Sequence, residues 1–283
     1  DYYRAARDAD VILSAPLSLR RYPAQALSRT PLCIAHPVPF PSSGRQRLAG
    51  QIKSLVSRHV VNIVPSTYMA GHFPAPVVIY NPFDPNALAP KTVDQDRSNV
   101  IFVGRLVPEK GGNVLLEAFA RARAANGARL TVVGDGPQRA ALELQADRLG
   151  IADRVRFTGP LRGSEVWAQM RSHRIMVVPS TWEEPFGIVA LEGLACGCRM
   201  IVAESGGLPE AVGPLALSFA RGDVAGLADC LDRALSPDDQ LPSDEAVTAH
   251  LAQFQPQRIA AQYLAILEAA ARLVRLAAAP EPM

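Results

Sequence analysis

No apolar run in this 283-residue chain reaches the roughly 18 residues that a membrane-spanning helix needs. No signal peptide is visible at its start. Cysteine is scarce: Cys33, Cys196, Cys198 and Cys230 form no C-x-x-C pair and no zinc spacing. They read as reduced thiols of a cytoplasmic protein. Excess charge is lacking too, since 29 Lys and Arg stand against 27 Asp and Glu. A net charge of +2 makes no case for nucleic acid as a partner.

What is present is an alternation. Short apolar runs at Val11–Leu13, Leu32–Ala35, Val60–Val64 and Val77–Tyr80 are separated by helical stretches such as Gly50–Arg58. A second series follows the polar stretch Pro90–Ser98: Val100–Val103, Arg129–Val133, Val155–Phe157, Arg174–Val178 and Arg199–Val202. Helical stretches lie between them, near Gly112–Asn126, Gln138–Leu149, Gly163–Ser172 and Gly187–Ala195. Near-continuous apolar strands alternating with helices predict buried parallel sheets. Two series predict two doubly wound α/β domains, spanning 1–95 and 96–255, with 256–283 as a helix packed back on them. Within Gln257–Leu276, residues Ile259, Tyr263, Ile266, Leu267 and Leu273 share one stripe. The chain opens at Asp1 with a helix and a strand, which reads as the middle of a domain, so part of the first domain is expected to lie outside this sequence.

In such sheets ligands bind at the carboxyl ends of strands. After Val178 comes Pro179-Ser-Thr-Trp-Glu-Glu-Pro-Phe-Gly-Ile-Val-Ala-Leu-Glu192, with a helix expected to begin near Phe186. Glu184 and Glu192 are eight positions apart, roughly 80° past two helical turns, which puts two carboxylates on neighbouring sides of one site. A helix start there leaves backbone N–H groups at Phe186, Gly187 and Ile188 open to an anion. After Val103 come Gly104, Arg105, Lys110 and Gly111: a glycine for close approach and two cations suited to phosphate oxygens. Gly134-Asp135-Gly136-Pro137 reads equally as a capped turn or as a ligand approach. The loop at Thr158–Arg162, which includes Leu161, can clasp a flat base through backbone groups. Gly206-Gly207 either approaches a ligand or makes a turn. His36 ends a strand of the first series, placed either to face a ligand or to be satisfied by local backbone.

Taken in order, these loops resemble the donor-binding domain of GT-B glycosyltransferases of the retaining family 4 (group 1) type. The pieces that carry the resemblance are Val103–Gly111, Val133–Pro137, the E-x7-E element Glu184–Glu192 and Gly206–Glu210. Val60–Thr67 and Ile79–Asp84 resemble the end of that family's first domain, with Asn81-Pro82 where Asn-Gly is usual. The resemblance implies two Rossmann-like domains facing a cleft, the first truncated here. It implies a metal-independent enzyme without a cofactor that moves a hexose, with retention, from a UDP- or GDP-sugar to a glycan or lipid-linked acceptor in bacterial polysaccharide synthesis. Arg105 and Lys110 would hold the diphosphate and stabilise the leaving group, and Glu192 would hold the ribose hydroxyls. Glu184 and His36 would meet the transferred sugar. Gly104, Gly134, Leu161 and the N–H groups of Phe186, Gly187 and Ile188 would line the nucleotide. The strand-end loops of the second series hold no Asp-x-Asp element, in keeping with that expectation.

Two other classes stay open on the sequence: a nucleotide-sugar-binding remnant that catalyses nothing, and a sugar-nucleotide epimerase or hydrolase of the same architecture. The basic segment with Arg45, Arg47, Lys53 and Arg58 reads first as a solvated helix face and second as peripheral contact with anionic lipid at the inner membrane face.

Overall fold

The computed structural model describes residues 2–28, 30–40, 47–88 and 99–278. It divides into two compact units, Asp1–Asn81 with Pro256–Met283, and Pro82–Gln255. The division falls at Asn81/Pro82, earlier than the break expected from the polar stretch at 90–98, most of which lies outside the described residues. The last helix belongs to the first unit.

The first unit holds β1 (Ile12–Ser14), β2 (Leu32–Ala35), β3 (Val61–Val64) and β4 (Val77–Val78) in sequential, parallel order. Successive strand residues point to opposite faces. Leu32 and Ile34 accordingly pack with Leu17 and with Val56 of the helix Arg47–Val56. Cys33 between them packs with Ile63, Ile79 and, from the helix Pro256–Ala278, Ile259 and Ala270. Both faces are covered, which is why β2 is apolar throughout rather than alternating. The stripe residues Tyr263, Ile266 and Leu267 join the second cluster, while the side chain of Leu273 lies outside what is described.

The second unit holds β5 (Val100–Val103), β6 (Leu130–Val133), β7 (Val155–Gly159), β8 (Ile175–Val178), β9 (Arg199–Glu204) and β10 (Ala216–Ala220). All pairings are parallel and the order is β10-β9-β8-β5-β6-β7. The helices Gly112–Arg121 and Val224–Leu235 bury Leu115, Phe119, Leu227 and Leu231 against Val100, Leu130 and Ile201. Each such side chain contributes about 1.5–3 kcal/mol. The expected strands match to within a few residues, but β10 was not expected. It is an edge strand in which only Leu217 and Phe219 are buried, so it lacks the continuous apolar run that marks the central strands. Among the described residues, no helix is long and apolar enough to cross a membrane, and the four cysteines are free.

Candidate functional site

β5 and β8 are hydrogen-bonded neighbours, although the chain passes through β6 and β7 between them. The chain leaves β5 toward one edge of the sheet and leaves β8 toward the other. Loops that diverge in this way open a crevice at the strands' carboxyl ends, where doubly wound sheets bind their ligands. The crevice of this sheet lies between the loop after Val103 and the loop after Val178.

Backbone contacts hold these two loops against each other. The turn Pro108–Lys110 ends at Gly111 with φ +69°, and a Cβ there would stand 1.9 Å from the Pro179 carbonyl oxygen. Thr181 donates its N–H to Glu109 O at 2.9 Å and its hydroxyl to Pro108 O at 3.0 Å. This crossing brings Lys110 Nζ to 2.6 Å from Glu184 Oε1. The same oxygen accepts from Ser180 Oγ at 2.6 Å. Glu184 is 7% exposed and Ser180 is fully buried. From the far side, the loop after β9 closes on Glu184: Gly207 donates its N–H to Glu184 O at 2.7 Å, and a Cβ on Gly206 (φ +57°) would meet that oxygen at 2.1 Å. Ser205 Oγ also donates to Trp182 O. The carboxylate of Glu184 is therefore aimed from three sides, on one of which stands a half-buried ammonium.

The loops after β5 and β6 are joined likewise. Gly104 donates to Val133 O at 3.0 Å, Leu106 to Asp135 O at 2.9 Å and Gln138 to Leu106 O at 2.9 Å. Gly134 donates on to Gly159 O at 2.9 Å, at the end of β7. Half-buried Leu161 lies two residues beyond. Arg105 is exposed, and its guanidinium has no hydrogen-bond or ion-pair partner among the described residues.

The helix after β8 corrects one expectation. It spans Ile188–Ala195 and is preceded by Gly187 at φ +123°, so it starts two residues later than Phe186. Phe186 is instead drawn into the core, 1% exposed, its ring 5.6 Å from that of Phe254. The open first turn consists of Gly187, Ile188 and Val189, and the Phe186 N–H precedes it. Glu184 lies in the loop before this helix and Glu192 lies on it. Glu184 is oriented by Ser180 and Lys110, and Glu192 by a hydrogen bond from Trp167. Burial pushes the Glu192 carboxyl above its usual pKa of 4.5, with Asp84 adding to the rise and the Trp167 bond opposing it. Ser180, Asp84 and Trp167 were not among the expected site residues. The one sequence cue for Trp167 was its indole, which seeks an acceptor when partly buried.

His36 belongs to the first unit. It is 2% exposed, stacked on Phe73 at 4.0 Å between ring centroids and edge-on to Phe40 at 5.1 Å. Asn62 donates its amide N–H groups to Ser57 O (2.7 Å) and Pro74 O (2.9 Å), which leaves Oδ1 as the acceptor facing His36 Nε2 at 2.9 Å. That fixes the proton on Nε2 and makes Nδ1 an acceptor. Nδ1 is buried with no partner among the described residues. Burial lowers the His36 pKa from 6.5, the Asn62 bond opposes this, and Lys53 lowers it further. His36 lines a cavity of about 200 Å³ with Asn81 and Tyr263.

A family model described as "Glycosyl transferases group 1" matches residues 85–246, more than half of the chain. The D-inositol 3-phosphate glycosyltransferase of Frankia alni is 41% identical over 170 residues, 55% of this chain and 41% of its own. The glycogen synthase of Mycobacterium tuberculosis is 35% identical over 169 residues, 59% of this chain and 39% of its own. The chain thus spans well under half the length of these curated relatives. Among solved structures, Anabaena HepE in complex with UDP superimposes with a TM-score of 0.80 at 23% identity, over 94% of this chain and 80% of that one. The fold is that of the GT-B glycosyltransferases.

Proposed function

This chain belongs to the group 1 glycosyl transferases, and from that membership we propose that it moves a hexose from a UDP- or GDP-sugar to a glycan or lipid-linked acceptor. The observation that carries the reading is the Lys110–Glu184–Ser180 cluster at the switch point between β5 and β8, with Arg105, whose guanidinium has no partner among the described residues, on the same loop after β5 as Lys110. Arg105 offers its planar fork to the donor diphosphate, and Lys110 turns from Glu184 toward the charge that grows on the leaving phosphate. These two cations neutralise the diphosphate without a metal ion in this reading, and no cofactor takes part. Glu184, its position fixed by Ser180 and Gly207, accepts hydroxyls of the transferred sugar and supports the oxocarbenium-like state. Transfer proceeds with retention, with the leaving phosphate assisting attack on the same face and Glu184 not acting as a nucleophile. Glu192 accepts the ribose hydroxyls, bonds that return to its carboxylate the solvation that burial removed. Nδ1 of His36 accepts a further sugar hydroxyl. Gly104, Gly134, Leu161 and the N–H groups at Gly187 and Ile188 line the nucleotide. The solved HepE complex contains UDP, which favours uridine over guanosine for the donor here.

The same reading assigns the protein to bacterial polysaccharide synthesis in the cytoplasm, with peripheral contact at the inner membrane face. The helix Arg47–Val56 supports that contact: Leu48 (68% exposed), Ile52 (44%) and Leu55 (59%) form an outward stripe, with Arg47 at the start of the helix and Arg58 in the turn that follows it, while Lys53 lies on another side of the helix. Arg45 lies outside the described residues. Co-sedimentation with anionic but not neutral vesicles is expected, and loss of the difference in Leu48→Ser/Leu55→Ser checks the stripe.

The central test is a calorimetric panel of UDP, GDP and their sugars with the full chain in chelator, followed by turnover assays. One nucleotide should bind selectively, and Lys110→Ala should lower turnover by about a hundredfold while weakening binding far less. Unchanged turnover in Lys110→Ala removes the leaving-group role. Donor binding without transfer would indicate a binding protein, and donor breakdown without acceptor a hydrolase.

A further inference from the structure

The second sheet has another polar concavity, at the end opposite the candidate site. It lies where β5, β6 and β7 begin, beside the carboxyl end of the helix Ser164–Arg171, and measures about 460 Å³. β6 is four residues long, about 13 Å, so this cavity is a strand length away from Gly134 and its neighbours. Three arginines line it, Arg129, Arg154 and Arg156, with one acidic residue, Asp153.

The three arginines are not equivalent. Arg154 is committed to structure: its Nη1 donates to Ala125 O at 2.6 Å and its guanidinium sits over the Phe119 ring at 5.2 Å. Arg156 is steered by one bond, Nη2 to Gln169 Oε1 at 2.9 Å, which leaves its other donors for a ligand. The Arg129 guanidinium has no hydrogen-bond or ion-pair partner among the described residues, although its backbone N–H is anchored on Asn99 Oδ1 at 3.1 Å.

The floor of the cavity is polar where a sheet interior is ordinarily apolar. Thr131, 5% exposed in the middle of β6, meets His173, also 5% exposed, at 2.8 Å between Oγ1 and Nε2. His173 Nδ1 lies 2.6 Å from Gln169 O, which can only accept, so the ring carries its proton on Nδ1 and Thr131 donates to Nε2. Ser172 Oγ donates to the same carbonyl at 2.8 Å. The helix-end carbonyl that would repel an anion is therefore already covered, and the cavity presents cationic walls over a satisfied polar floor.

We propose that this cavity binds a small phosphate-bearing anion, with Arg129 and Arg156 as its forks, separately from any ligand at the carboxyl ends of the strands. Planar guanidinium pairs match phosphate oxygens bidentately, and the volume, within the range of small-molecule sites, exceeds a bare phosphate. The proposal stands apart from the donor-site reading, and its test is arranged to keep the two distinct. The full chain carrying Arg105→Ala and Lys110→Ala, which lacks the cations of the other site, is titrated with pyrophosphate by calorimetry at low salt. One saturable site is expected, weakened at least about tenfold when Arg129→Ala and Arg156→Ala are added. No saturable binding in the first protein, or equal affinity in the second, overturns the proposal. Both arginines are exposed, so the added changes should leave the thermal midpoint in place. An arm that needs no substitution uses phenylglyoxal on the unaltered chain. Pyrophosphate should slow modification of Arg129 and Arg156, read by peptide mass spectrometry, and modification at an unchanged rate counts against the site. UDP binding that survives in Arg129→Ala/Arg156→Ala shows the donor site to be independent.

Discussion

The two units of this chain hold their polar side chains in different ways. In the second, Glu184 and Lys110 are placed by backbone crossings: Gly111 under Pro179 O, Gly206 and Gly207 against Glu184 O, and Thr181 bonded to Pro108 and Glu109. In the first, His36 is placed by side chains, with Asn62 fixing its tautomer and Phe73 and Phe40 its plane. Backbone crossings tolerate no Cβ, so they demand glycine at fixed positions. A side-chain cage can be built from many residue combinations. The first device leaves a trace in the sequence and the second leaves almost none.

The comparison breaks most visibly at a crossing. Gly206→Ala puts a methyl at 2.1 Å from Glu184 O in a left-handed conformation, and should cost about 3–5 kcal/mol in chemical denaturation and displace Glu184. Gly222→Ala is the control: φ is +79°, but a Cβ there meets nothing within 4 Å, so only the backbone strain of about 1 kcal/mol is expected. Equal losses in the two variants would mean that the crossing carries no special weight.

Asn62→Leu tests the cage. It strips the buried His36 Nε2 of its acceptor and leaves the carbonyls of Ser57 and Pro74 without their donor, at about 1–3 kcal/mol. The pH dependence carries a second sign. His36 has a folded pKa below its unfolded 6.5, so the unfolded chain takes up the proton first. Stability is present above 6.5 and falls as the pH drops toward the folded value. Urea melts at about pH 7.5 and about pH 5.5 should show this decline, and His36→Gln should flatten it. An identical slope in His36→Gln would assign the effect to another group.

The smallest effect is at Glu192. Its pKa is raised by burial, so its ionised form destabilises the fold: its contribution is full below 4.5 and is lost as the pH rises through the folded value. Glu192→Gln should raise stability at neutral pH by up to about 1 kcal/mol while weakening nucleotide binding. A gain in stability with binding intact would leave Glu192 outside the site.

Much of this was legible beforehand. The central strands announced themselves as unbroken apolar runs, because a strand covered on both faces has no polar side. The loops at Gly104, Gly134 and Gly206 announced themselves through the glycines that close approach requires. Edge strand β10 was not legible, since its alternation of Leu217 and Phe219 with exposed residues looks like many loops. The start of the helix Ile188–Ala195 was misread because Phe186 fits a helix by composition, yet packing against Phe254 takes it out of one.

Sequence alone determined the alternation of strands and helices, the loops at the carboxyl ends of the strands and the residue types available there. These follow from local periodicity and from the steric demands of glycine, which act over a few residues. Only the tertiary structure decided that Ser180 shares an oxygen of Glu184 with Lys110, that Trp167 and Asp84 act on the charge balance of Glu192, and that Arg129, Arg156 and the buried His173 line one cavity. Those residues are separated by 17 to 108 positions of chain or by the turn of a single loop, and strand order, not spacing along the sequence, brings them within reach.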